Sequence, residues 1–134
     1  GVQTCALPIL PTPGHTPGTL SLVLDVTDNG QPHRAMLWGG HGFNFGQKAD
    51  RAASYIKAAR NFHDMAAEQK IDVFLSNHAG LDGSKEKLAA LKTRSQGAPN
   101  PFVVGVDSVQ RMMNVLAECG AAALASYDAS AVPK

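Results

Sequence analysis

Five histidines, at positions 15, 33, 41, 63 and 78, are the side chains of this 134-residue chain best suited to chemistry near neutral pH, because an imidazole can ligate a metal or move a proton there. Their contexts differ. His15 lies in Pro11-Thr12-Pro13-Gly14-His15-Thr16-Pro17-Gly18, and His78 in Ser76-Asn77-His78-Ala79-Gly80. Both are Gly-, Pro- or Asn-rich loops beside a predicted strand, and a stiff backbone of that kind can meet the small tolerance of a Zn–N bond of about 2.0–2.1 Å. His41 sits between Gly40 and Gly42, just past a strand expected to end at Trp38, where small neighbours let a ligand or other backbone approach closely. Spacing alone leaves these three open, since a loop histidine is ordinarily a surface or turn residue. His33, after Pro32, reads as a solvated turn residue, and His63, beside Phe62, as helix surface or core edge. Asp82 reads first as a cap for the helix after it and second as a contact to a metal-bound water.

Other chemistries lack their patterns. The glycine-rich stretch 39–46 has no Lys-Ser/Thr ending and no phosphate-cradling strand-to-helix turn. Ser76 and Ser84 are not set in a nucleophile elbow, which disfavours a Ser-His-Asp hydrolase. Met112-Met113 falls near an apolar helix face and reads as core packing.

Strands and helices must position these loops. Thr19 to Val26 is β-prone and partly alternating, Asp28-Asn29-Gly30 is a turn signal, and Arg34 to Trp38 follows, which predicts an antiparallel hairpin. Between Lys48 and Lys70, apolar Ala52, Tyr55, Ile56, Ala59, Phe62, Met65 and Ala66 recur at three- and four-residue steps, as in one amphipathic helix. Ile71 to Leu75 is a short strand, and Ser84 to Arg94 a solvated helix with Leu88 and Leu91 on one face. After the loop Gly97 to Pro101, Asp107 is expected to cap a last helix carrying Val109, Met112, Met113, Leu116 and Leu124. The tail from Ser126 to Lys134 has no periodicity and is expected to fray. There is no internal repeat.

Composition narrows the class. Hydrophobic residues make up 44% and charged ones 17%, with 12 Lys plus Arg against 11 acids and a net charge of +1. That describes a globular domain, α/β by the order of its elements, without the basic footprint of a nucleic-acid binder, and no run reaches the roughly 18 apolar residues of a membrane span. The first nine residues, Gly-Val-Gln-Thr-Cys-Ala-Leu-Pro-Ile, resemble an in-frame translation of a sequencing adapter and are set apart from the fold. Cys119 then stands alone on an apolar stretch, where a buried inert thiol is expected, and cysteine usage gives no compartment.

The string Thr12-Pro13-Gly14-His15-Thr16-Pro17-Gly18 resembles the Thr-Pro-Gly-His-Thr-Pro-Gly loop of the metallo-β-lactamase superfamily, whose histidine is a zinc ligand. The later Ser76-Asn77-His78-Ala79-Gly80 resembles the last metal-binding histidine of that family, at the end of a late strand. The resemblance implies the C-terminal half of an αβ/βα sandwich over residues 10–125, a mixed sheet with helices on its outer face, cut off upstream. It also implies His15 and His78 as metal ligands at different zinc positions, with two zinc ions in a complete domain. The family's His-x-His-x-Asp-His loop, which supplies most ligands, is not in this sequence. Where many relatives carry an Asp or Cys ligand, this chain reads Trp38-Gly39-Gly40-His41-Gly42, so His41 is a possible replacement ligand or substrate contact.

Function follows as expectation. The parent is a zinc-dependent hydrolase acting on a small-molecule amide or ester, β-lactamase-like because the bridging Asp of a glyoxalase-II-like thioesterase is absent. The fragment alone is expected to be inactive, and its partner is the missing N-terminal half of the same domain. Rival readings are a lactone or thioester hydrolase of the same fold, or a non-catalytic α/β binding module.

Overall fold

The computed structural model describes residues 8–134, so Cys5 and most of the adapter-like segment lie outside the described residues. Strand β1 (Ile9–Pro11), β2 (Leu20–Asp28) and β3 (Gln31–Trp38) are followed by helix α1 (Ala49–Glu68), strand β4 (Val73–Ser76), and helices α2 (Ala79–Asp82), α3 (Ser84–Lys92) and α4 (Val106–Asp128). The four strands form one mixed sheet in the order β1-β2-β3-β4. The first two pairings are antiparallel and β3–β4 is parallel, so α1 supplies the crossover that a parallel pair requires.

Residue alternation assigns the two sheet faces. Val23, Met36, Trp38 and Phe74 point to the helical side, where α1 contributes Ala52, Tyr55, Ile56, Ala59, Phe62 and Ala66, and α4 contributes Val109, Met113, Leu116, Ala117 and Leu124. Trp38 is fully buried at the centre and meets Tyr55 and Phe62 edge-on, at ring-centroid distances of 5.8 and 5.3 Å. The opposite face carries Leu22, Leu24 and Leu37, all half-buried, with Leu20 and Ile9 exposed. Cross-strand register makes this a continuous apolar surface, since Ile9 pairs Leu22, Leu22 pairs Leu37 and Leu37 pairs Leu75. No helix of the described residues is long and apolar enough to cross a membrane.

Several local expectations are corrected. The N-cap of α4 is Gly105, with no side-chain cap bond, so Asp107 lies inside the first turn rather than capping it. The tail expected to fray from Ser126 has regular structure: α4 runs to Asp128, a short 3₁₀ turn covers Ala129–Ala131, and Arg60 donates to the carbonyls of Pro133 and Lys134. Cys119 is exposed, because it falls on the outer side of α4. His33 belongs to β3 and pairs through Nδ1 with Asp72 Oδ2, so it is no solvated turn residue. For His33, Cys119 and the tail, packing or a contact distant in sequence, invisible to local pattern, decides the outcome.

Candidate metal-ligand site

The loop bearing His15 is held down from both sides. Thr12 donates its backbone N–H to Thr19 O at 2.9 Å, and the Thr16 N–H reaches Thr19 Oγ1 at 3.0 Å, closing the loop on itself. Beneath it, the buried hydroxyls of Thr12 and Ser21 meet at 2.8 Å, and Ser21 Oγ accepts the Gly39 N–H at 3.0 Å. This relay ties the entrance of the His15 loop to the chain leaving β3. Glycine is required at two close approaches. A Cβ on Gly14, at φ +149°, would lie 2.5 Å from Tyr55 Cβ, and one on Gly40, at φ +74°, would lie 2.6 Å from His15 Cβ.

His15 is half-buried, and its Nδ1 lies 2.8 Å from Gly42 O. A carbonyl only accepts, so Nδ1 carries the proton and Nε2 is left as the free electron-pair donor, the arrangement common to metal-binding histidines.

At the neighbouring strand end, His78 is exposed and lies two residues past the end of β4. Its backbone N–H donates to Ser76 Oγ at 3.0 Å, and the same Oγ lies 2.9 Å from His41 Nδ1. Asp82, buried behind them, accepts the Ser76 N–H at 2.7 Å and both the N–H and hydroxyl of Ser84. Burial raises the Asp82 pKa, but these hydrogen bonds from Ser84 and Ser76 outweigh it and leave the carboxyl below its ordinary value of 3.8. His41 is 7% exposed. Burial first, and then nearby His78, hold its imidazole below the ordinary 6.5 against the opposing pull of Asp82, so it is neutral at pH 7. Tyr55, whose phenol burial pushes up to about 12, stays protonated and lies 3.4 Å from His41 O as donor.

The structure therefore brings the three sequence-predicted histidines to one end of the sheet, linked by the segment Gly40–Gly42. Gly42, which His15 grips, lines an open cleft of about 540 Å³ together with His78, Ala79, Gly80, Leu81 and Lys85. Among the described residues no group of three or more His, Cys, Asp or Glu side chains is placed to hold a metal ion. A zinc site takes about three protein ligands, so His15 and His78 alone would not complete one. Sequence reasoning missed Thr12, Ser21 and Ser76. Ser21 left one signal, a hydroxyl on the inward-facing row of β2 beside Val23.

A four-stranded mixed sheet with helices packed on one face, a half-buried apolar surface on the other and histidine-bearing loops at one end defines the class of the fold as an α/β layer pair. No family model and no curated protein matches the chain. Solved structures do. The native FEZ-1 metallo-β-lactamase from Legionella gormanii is 27% identical, with a TM-score of 0.75 over 90% of this chain and 45% of that one. BJP-1, a subclass B3 metallo-β-lactamase of Bradyrhizobium japonicum, is 26% identical, with a TM-score of 0.68 and the same coverage. The class B3 di-zinc metallo-β-lactamase LRA-12 from an Alaskan soil metagenome, 18% identical at TM-score 0.52 over 85% of this chain and 44% of that one, shares the fold. The chain carries the metallo-β-lactamase fold as its C-terminal half, and spans about 45% of the length of the first two structures.

Proposed function

We propose that this chain is the C-terminal half of a zinc-dependent hydrolase domain, in which His15 and His78 each give one ligand to a two-metal site. The observation that carries this reading is the convergence of the two loops on Gly40–Gly42, with Nε2 of His15 left free by the Nδ1 contact to Gly42 O. Zinc held by three protein groups supplies hydroxide near pH 7 and polarises a carbonyl under attack. This chain's part is to hold two imidazoles at fixed places on a rigid sheet end and to line the floor of the cleft.

The remaining ligands belong to a His-x-His-x-Asp-His loop on a complementary N-terminal half, which would also cover the apolar face of Leu22, Leu24 and Leu37. Support comes from the paired, half-buried leucines of that face and from the 45% share of the solved structures that the chain spans. The substrate is a small molecule with a hydrolysable amide, β-lactam in type, because Trp38-Gly39-Gly40-His41-Gly42 lacks the Asp expected of a thioesterase.

Reading the genomic sequence upstream of Leu10 tests the assignment: a His-x-His-x-Asp-His loop in frame supports it, and a start codon near Leu10 with no such loop overturns it in favour of a binding module. With the extended protein, hydrolysis of a β-lactam that chelator abolishes is the expected result, while turnover of lactones or thioesters alone would reassign the substrate. For the 134-residue chain by itself, calorimetric titration should give weak zinc binding at most, and a tight stoichiometric site would refute the division of ligands.

A further inference from the structure

His41 is a buried titratable group left without a role by the proposal above. The residue is 7% exposed, and its ring stands edge-on to Phe74, with centroids 5.8 Å apart at 82°. Its Nδ1 meets Ser76 Oγ at 2.9 Å, and that oxygen also accepts the His78 backbone N–H at 3.0 Å. The Ser76 backbone is fixed separately by Asp82, whose Oδ2 accepts its N–H at 2.7 Å. Ser76 is thus held at two points, its amide by a carboxylate and its hydroxyl by an imidazole wedged in the core. His78, otherwise exposed, hangs from that hydroxyl.

We propose that His41 is a positioning residue, acting through Ser76 Oγ to preset the loop that presents His78. This rests on the reading of His78 as a ligand, although the clamp itself involves no metal. The same segment orients His15 through the Gly42 carbonyl, so residues 41 and 42 set both candidate ligands, one by side chain and one by backbone. A site whose ligands come from separate loops gains affinity when each is held in place beforehand, since less ordering remains for the metal to impose.

Amide hydrogen exchange on the metal-free 134-residue chain tests the clamp. An Asn side chain places a polar atom near the position of His Nδ1, whereas Gln extends past it. His41→Gln and Ser76→Ala should each accelerate exchange of the His78 amide by about tenfold, the loss of one hydrogen bond, while His41→Asn and Ser76→Thr keep it near wild type. The Met36 amide, in the middle of the sheet, reports overall folding and should not change. Equal acceleration by His41→Asn and His41→Gln, or none by His41→Gln, overturns the proposal and leaves His41 as filling. If both His41 variants also accelerate Met36, the Ser76 pair decides: the clamp fails if Ser76→Thr is no better than Ser76→Ala. Failure of zinc to bind His78 in the extended protein would instead refute the ligand reading, and leave the exchange result intact.

Discussion

Substituting Gly40 by Ala separates two costs that usually arrive together. The residue has φ +74°, and a left-handed backbone costs a residue with a side chain about 1–2 kcal/mol. In addition, the new Cβ would lie 2.6 Å from His15 Cβ and 3.2 Å from its Cγ, both inside the ordinary carbon contact of about 3.5–4.0 Å, the first by about an ångström. Forcing a group into occupied space adds about 1–3 kcal/mol. Gly46 is the control, because it has nearly the same φ, +71°, with nothing within 4 Å of the added Cβ. Urea unfolding should therefore show Gly46→Ala losing about 1–2 kcal/mol and Gly40→Ala about 2–5 kcal/mol. The difference should be accompanied by altered ring resonances of His15, as the imidazole is pushed off Gly42 O, and by unaltered ones for His63. Equal losses in the two variants, with His15 unmoved, would refute the claim that Gly40 exists to seat His15.

Truncating Trp38 to Ala removes the centre of the aromatic cluster with Tyr55 and Phe62, and denaturant melts should report a loss of about 3–5 kcal/mol. Asp82 has a folded pKa below its ordinary 3.8, so its stabilisation is fully present above that value and is lost as pH falls through the folded pKa. Asp82→Asn should flatten the acid limb of a stability–pH profile below about pH 4, and an unchanged slope would mean that Asp82 is not the group titrating. The uncovered sheet face predicts concentration-dependent self-association of the chain alone by sedimentation. Leu24→Lys with Leu37→Lys should shift it towards monomer without loss of helical circular dichroism.

Recurrence and turn chemistry made much of the architecture legible before any coordinates. The apolar period from Ala52 to Ala66 gave α1 within a residue or two of its ends, and Asp28-Asn29-Gly30 set the hairpin register, with Asp28 opposite Gln31. These are short-range properties: helix period and turn geometry are fixed by neighbours along the chain. The motif around His15 marked its loop for the same reason, since three prolines and two glycines leave little conformational choice.

What the amino-acid order did not determine were contacts between segments. That His41 faces Ser76, 35 residues away, follows from β3 and β4 lying side by side with Trp38 opposite Ser76. That His33 finds Asp72 follows from the same parallel pairing. The tail lies against α1 because Arg60 reaches its carbonyls, and Cys119 is exposed because α1 takes the other side of α4. Such pairings are decided by which faces bury together, a free energy summed over the whole core, so a local window holds the residues that take part and not the partners they meet.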